Sequence, residues 1–116
     1  MTHEDLAALG AAELVRLVAG REVSPVEVVR AALDRVDRFN PTLNAIVTVD
    51  DRALDSAHAL EAALADGATP GPLCGLPVGI KDVTAVAGLR TTYGSPIYAD
   101  HVPDEDALVV ERLRRA

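Results

Sequence analysis

The stretch SPVEVVRAALDRVDRF, Ser24 to Phe39, admits one local structure. Ser24 is a capping residue type, Pro25 suits the first helical position, and Glu27 stands where its carboxylate reaches back to the backbone N–H of the cap. Val26, Val29, Leu33 and Val36 then recur at three- and four-residue spacing, so one face of the helix is apolar and has to be covered. Asn40-Pro41 supplies a stop, because the residue before a proline disfavours helical dihedrals. A helix over 25–39 is therefore predicted, and the rest of the chain must furnish its cover.

That cover has to be built from small side chains. Hydrophobic residues are 49% of the 116 and aromatic ones only 3%, with Phe39 the one phenylalanine and no tryptophan. Aromatic side chains bury the most area each, so the core must sum many contributions from Ala, Val and Leu. AAELVRLVAG places Ala11, Leu14, Val15 and Val18 on one face and ends at Gly20, which predicts a helix over 11–19. Asp50 or Asp51 can cap another over 51–66, with Ala53, Ala57, Leu60 and Leu64 on its buried stripe and Gly67 beyond its end. DEDALVVERLRRA predicts a helix over 105–115, with Asp104, Glu105 and Asp106 at its start and Arg112, Arg114 and Arg115 at its end. That order of charges suits the helix dipole.

Two segments read as strands: 44–49 within NAIVTVD and 77–82 within PVGIKDV, both β-branched and bounded by turn-forming residues. DGATPGPLCGLP, between them, is too rich in Gly and Pro for regular structure, and VAGLRTTYGS reads as a turn at Gly88 followed by extended chain. Two strands are too few for a stable sheet. The chain also ends in an apolar-faced helix with no capping residue after Ala116. The expected architecture is thus an incomplete α/β domain, helical over 1–40, with its α/β core beginning over 41–116.

Charge and motif content exclude several functions. The net charge is −7 and no basic stripe is present, which disfavours nucleic-acid binding. No apolar run approaches bilayer length, and Met1-Thr2-His3-Glu4-Asp5 lacks the features of a signal peptide, so a cytoplasmic protein without membrane contact is expected. A single cysteine, Cys74, rules out an internal disulfide framework or a Cys-rich zinc site. His3, His58 and His101 are scattered without metal-ligand spacing. Gly71, Gly75 and Gly79 have the wrong order for a Walker loop and precede the expected strand rather than a helix. Neither a metal nor any other cofactor is implied.

Lys81 is the only lysine among eleven basic residues. It stands at the end of an apolar run, where it is either a strand-end ammonium that reaches solvent or pairs with Asp82, or a proton-transfer group. The second role needs burial, which disfavours the charged form of an amine and which arginine could not imitate. A neutral lysine can act as base to a serine hydroxyl. The available serines fit poorly: Ser24 is a cap, Ser56 lies on a helix facing water, and Ser95 follows Gly94 in a loop suited to a turn. A thiol nucleophile at Cys74 with His58 or His101 as base is a weaker alternative, since no thiol-hydrolase signature surrounds it.

GPLCGLPVGIKDVTAVAGLRTTYGS closely resembles the catalytic-lysine region of the amidase signature family. In that family a G-[IL]-P-[VIFA]-x-[IVL]-K-D core precedes G-x-x-T-T-x-[GA]-S. Gly75, Leu76, Pro77, Lys81, Asp82, Gly88, Thr91, Thr92, Gly94 and Ser95 all fall in place. SPVEVVRAALDRVDRFNPTLNAIVTVD looks like the family's second helix and first strand, so the resemblance runs from about Leu14 onward. It implies the N-terminal part of an α/β fold with a mixed β-sheet core flanked by helices. It also implies a Ser–cis-Ser–Lys amidase acting on a small-molecule amide, with Lys81 as catalytic base and no cofactor. The substrate-binding residues are not identified. Both family serines belong to a Gly-Gly-Ser-Ser-Gly-Gly-like segment with no counterpart in these 116 residues, so the chain by itself is expected to be inactive. TTYGSP is closer to general amidases than to the glutaminase component of a tRNA-dependent amidotransferase. The alternative to an enzyme is a non-catalytic remnant or interaction module that self-associates through uncovered apolar surface.

Overall fold

The computed structural model describes all 116 residues. They form two compact units, one made of Met1–Ile46 with Asp51–Pro77 and the other of Val47–Asp50 with Val78–Ala116. Helices α1 (His3–Ala8), α2 (Ala11–Ala19), α3 (Pro25–Leu43) and α4 (Ala53–Ala65) belong to the first; a 3-10 turn (Pro96–Tyr98) and α5 (Leu108–Arg115) belong to the second.

In the first unit α3 is central. Its capping box forms as expected: the Ser24 hydroxyl accepts from the Glu27 N–H at 3.1 Å, and the Ser24 N–H donates to Glu27 Oε2 at 2.9 Å. Val28 and Ala31 pack with Leu6 of α1, Leu17 and Val18 of α2, Leu64 of α4, Val23 and Cys74. Val26 and Val29 pack instead against Ala57, with Ala53 and Leu54 alongside. The helix is thus buried on two sides rather than one. Its stop also differs from the expected one, because Pro41 lies inside the last turn and the helix ends at Leu43. A proline this close to the end removes only one helical hydrogen bond. The true stop is Asn44, which takes a left-handed φ of 48° and donates its N–H to Asn40 O at 2.7 Å. The Asn40 carboxamide then brackets Ile46, donating to its carbonyl at 2.9 Å and accepting from its N–H at 2.8 Å.

Helix α1 was not expected, since six residues are too few to show periodicity. Its signal is the capping box, with the Thr2 hydroxyl accepting from the Asp5 N–H at 3.1 Å and the Thr2 N–H donating to Asp5 Oδ2 at 2.8 Å. Leu6 enters the core, and His3–Asp34 (2.5 Å) and Glu4–Arg38 pairs fasten the helix to α3. On α2 the buried residues are Leu17 and Val18, with Leu14 and Val15 half-buried and Ala11 exposed, so the apolar face is rotated from the expected one. The left-handed position after α2 falls on Arg21 (φ 58°), one residue beyond Gly20. The Glu22 N–H reaches Leu17 O at 2.9 Å and the Arg21 N–H reaches Val18 O at 3.0 Å, the paired bonds of a Schellman turn. Helix α4 starts at Ala53 with Arg52 in the cap position, so the cap lies beyond the expected Asp50 or Asp51. Its end is as expected, with Gly67 left-handed at φ 95°.

Gly75, in the segment after α4, must remain glycine. Its φ is 77°, and an added Cβ would lie 3.1 Å from Val18 Cγ1 and 3.5 Å from Pro25 Cβ, inside the core. Left-handed backbone and crowding act together, so Gly75→Ala is expected to cost about 1–3 kcal/mol. Gly79→Ala, with no atom within 4 Å of the added carbon and no left-handed φ, should leave stability within about 0.5 kcal/mol. Urea denaturation of the two variants checks both values; equal midpoints would overturn the claim.

No strand forms anywhere in the chain, which corrects the expected strands at 44–49 and 77–82 and leaves the mixed sheet unformed. A strand exists through its ladder partner, and these segments use their polar groups otherwise. Ile46 is held by Asn40, the Val47 carbonyl accepts from Arg90 Nη2 at 3.2 Å, and the Lys81 carbonyl closes a turn with the Thr84 N–H at 2.9 Å. Ile46, Val47, Val49 and Val78 are left exposed.

The second unit is held by isolated bonds between its two halves: Ala107 N–H to Ala85 O at 2.9 Å, Gly88 N–H to Pro103 O at 2.9 Å and Thr91 N–H to His101 O at 3.0 Å. Helix α5 starts at Leu108, three residues later than expected, because Asp106 is used in tertiary contacts. Its carboxylate accepts from the Ala87 N–H at 2.8 Å and from Arg114 Nε at 2.8 Å. Val110 is buried while Leu108 and Val109 are exposed. No helix is long and apolar enough to cross a membrane.

Candidate active site around Lys81

Most positions of the Lys81 motif have a local task, from the left-handed Gly75 to the capping Ser95. Lys81 opens the turn closed by Thr84, and its side chain is exposed rather than covered. The expected burial depended on a paired strand; unpaired, the run before it leaves Val78 51% exposed and Ile80 half-buried. Asp82 is turned toward Thr92. Its carboxylate accepts from the Thr92 N–H at 2.7 Å and from the Thr92 hydroxyl. The Thr92 hydroxyl bond, then the Thr92 N–H bond, hold the Asp82 carboxyl below the usual carboxylate range, with smaller help from Arg90 and the Gly94 N–H.

The residues that follow build the other side of this loop. Gly88 turns the chain with φ 72°, and Thr91 is buried with its hydroxyl donating to Leu89 O at 3.1 Å. The Arg90 guanidinium donates to Ala99 O at 2.9 Å and to Val47 O at 3.2 Å. Tyr93 and Gly94 are both left-handed, at φ 54° and 69°. The Gly94 N–H donates to the Thr92 hydroxyl at 3.2 Å. Tyr93 meets Tyr98 edge-to-face with ring centroids 5.1 Å apart, and His101 joins them at 5.8 and 5.7 Å.

The three serines have structural positions. Ser24 caps α3, Ser56 is exposed on α4, and Ser95 caps the 3-10 turn by accepting from the Ile97 N–H at 3.3 Å. Cys74 is buried in the core of the first unit, with its N–H donating to Gly71 O at 3.2 Å. His58 is exposed and faces Glu61 at 3.8 Å, and His101 is engaged with the tyrosines, so neither is presented as a base to a thiol. No group of three or more His, Cys, Asp or Glu side chains converges as a metal site would require. The Asp82–Thr92 pairing was missed by sequence reasoning. Both residues stood in the motif, but two polar residues ten positions apart in a loop carry no periodic signal.

The amidase family model matches residues 27–116, which include the whole Lys81 loop. The chain belongs to the amidase family. Among its relatives, a glutamyl-tRNA(Gln) amidotransferase subunit of Acidothermus cellulolyticus is 45% identical over 113 residues, covering 97% of this chain and 22% of the relative. The acylamidase of Rhodococcus erythropolis is 43% identical over 117 residues, covering all of this chain and 24% of the relative. Among solved structures, a bacterial aryl acylamidase of the amidase signature family superimposes with a TM-score of 0.76 at 36% identity, over 81% of this chain and 20% of that one. An inhibitor-bound member of a vestigial protein complex related to an s-triazine catabolic enzyme superimposes with a TM-score of 0.87 at 28% identity, over 93% and 24%. The chain thus aligns with the N-terminal region of its relatives and spans less than a quarter of their length.

Proposed function

We propose that this chain contributes the catalytic lysine of an amidase that hydrolyses a carboxamide C–N bond. The observation that carries the reading is that Lys81, the chain's one lysine, stands in a family-matched loop in which the motif residues Asp82, Thr91, Thr92 and Ser95 are each hydrogen-bonded. In the proposed reaction, Lys81 Nζ takes a proton from a bridging serine as that serine takes one from the nucleophile. The nucleophile's oxygen bonds to the carbonyl carbon, the C–N bond breaks, and the leaving amine receives the proton. Water then cleaves the acyl ester and returns the serine. Neither serine has a counterpart here, because Ser24, Ser56 and Ser95 are placed as caps or on an exposed helix face.

Residues 1–116 alone are therefore expected to hydrolyse no amide and to take no label from a fluorophosphonate probe. A serine labelled in the isolated chain, located by peptide mapping, would falsify that expectation. A second reading, the glutaminase component of a glutamyl-tRNA(Gln) amidotransferase, is favoured by the 45% identical relative. TTYGSP favours a general amidase. Ammonia release from glutamine in preference to simple amides, by the protein expressed from its complete gene, would decide for the amidotransferase. A non-catalytic role for the isolated chain rests on the exposed Ile97, Leu108 and Val109, which would drive self-association.

A further inference from the structure

We propose that Asp82 and Thr92 form a clamp that positions Lys81 for proton transfer. The inference rests on the reading of Lys81 as the proton-transfer group. An exposed lysine has three or four free side-chain torsions, so what the fold can fix is the place and direction from which it starts. Here the Lys81 backbone is held on its C-terminal side by two separate attachments. Its own carbonyl accepts from the Thr84 N–H at 2.9 Å, and the next residue is tied by two bonds from Thr92 to the Asp82 carboxylate.

Thr92 is itself placed by neighbours. The buried Thr91 before it is fixed through its N–H to His101 O at 3.0 Å, and the Gly94 N–H after it donates to the Thr92 hydroxyl at 3.2 Å. Asp82 and Thr92 thus tie the segment that carries Lys81 to the stretch of chain beside the buried Thr91. Ionised Asp82 is what both Thr92 donors require, and these bonds keep it ionised below the ordinary carboxylate range. Asp82 and Thr92 are positioning residues and touch no reacting atom in this scheme.

The single lysine makes the test direct, since lysine-selective 13C,15N labelling yields one set of signals. Thr92→Val removes the hydroxyl but keeps the N–H; Thr92→Ser restores the hydroxyl; Asp82→Asn weakens the acceptor. The backbone order parameter at Lys81 is expected to fall from about 0.85 toward 0.6 in Thr92→Val and Asp82→Asn, and to stay near the wild-type value in Thr92→Ser. In the protein expressed from its complete gene, kcat for amide hydrolysis should drop about 10- to 100-fold in the first two variants with KM changed far less, and recover in Thr92→Ser. An unchanged order parameter at Lys81 in both Thr92→Val and Asp82→Asn overturns the clamp. A rise in KM at constant kcat overturns its catalytic role. If Thr92→Val unfolds, Asp82→Asn carries the same comparison. Full activity in Lys81→Ala would refute the proton-transfer reading alone, since the order parameters report the clamp whether or not the lysine is catalytic.

Discussion

Lys81→Ala, made in the protein expressed from its complete gene, is expected to lower kcat/KM for amide hydrolysis by about 10²- to 10⁴-fold, the usual contribution of a positioned proton-transfer group. At about 1.4 kcal/mol for each tenfold, that is roughly 3–5 kcal/mol of transition-state stabilisation. Lys81→Arg should be no better than alanine, because a guanidinium keeps its proton and cannot act as a base. Neither change should disturb the fold. The Lys81 side chain is exposed, and the turn it opens is closed by its backbone carbonyl, which both variants retain. Melting temperatures should therefore lie close to wild type, as for surface substitutions generally within about 0.5 kcal/mol. Steady-state kinetics with thermal denaturation separates the two effects. Wild-type turnover in Lys81→Arg would remove the lysine from the mechanism; parallel loss of activity and stability would reassign it to the fold.

How much of this was legible in the sequence depended on whether the determining interaction was local. Helix α3 was legible because Ser24, Pro25 and Glu27 fix its start within four residues and the valines repeat along it. Its end was misplaced because Asn40-Pro41 is a strong local signal, whereas the actual stop uses the left-handed Asn44 and the Asn40–Ile46 bonds. The late start of α5 has the same origin: Asp106 looks like a first-turn acid until its tertiary partners Ala87 and Arg114 are seen. The two β-branched segments show the limit most plainly. Val47, Val49 and Val78 have strand-forming side chains, but without a hydrogen-bonded neighbour they stay exposed and non-regular. The family of the loop that carries Lys81 was legible through its motif. The exposure of Lys81 and the Asp82–Thr92 hydrogen bonds were not, because both are set by loops that meet ten residues apart.

Leu6→Ala is expected to cause the largest loss of stability, about 2–5 kcal/mol. Leu6 is 1% exposed, and it is the only buried residue that α1 contributes to the first unit. A six-residue helix cannot persist alone in water, so α1 depends on Leu6, with the half-buried Ala7 and the following Leu9 packed beside it, for its place in the unit. Its polar attachments are at the surface: the Arg35 guanidinium donates to Ala7 O at 3.4 Å, and the His3–Asp34 and Glu4–Arg38 pairs are worth at most about 1 kcal/mol each. The surrounding core gives little reserve, because Leu17, Val18, Val23, Val28, Ala31, Leu64 and Cys74 include no aromatic side chain. Against a typical total of about 5–15 kcal/mol, the truncation removes a large share. At roughly 4 °C for each kcal/mol in a chain of this size, the melting temperature should fall by about 8–20 °C. Leu6→Met, which conserves volume, should cost less than about 1.5 kcal/mol. Thermal and urea denaturation followed by circular dichroism measures both. A wild-type midpoint in Leu6→Ala would mean that α1 contributes nothing to the unit, and the capping box at Thr2 and Asp5 would then close a helix the core does not need.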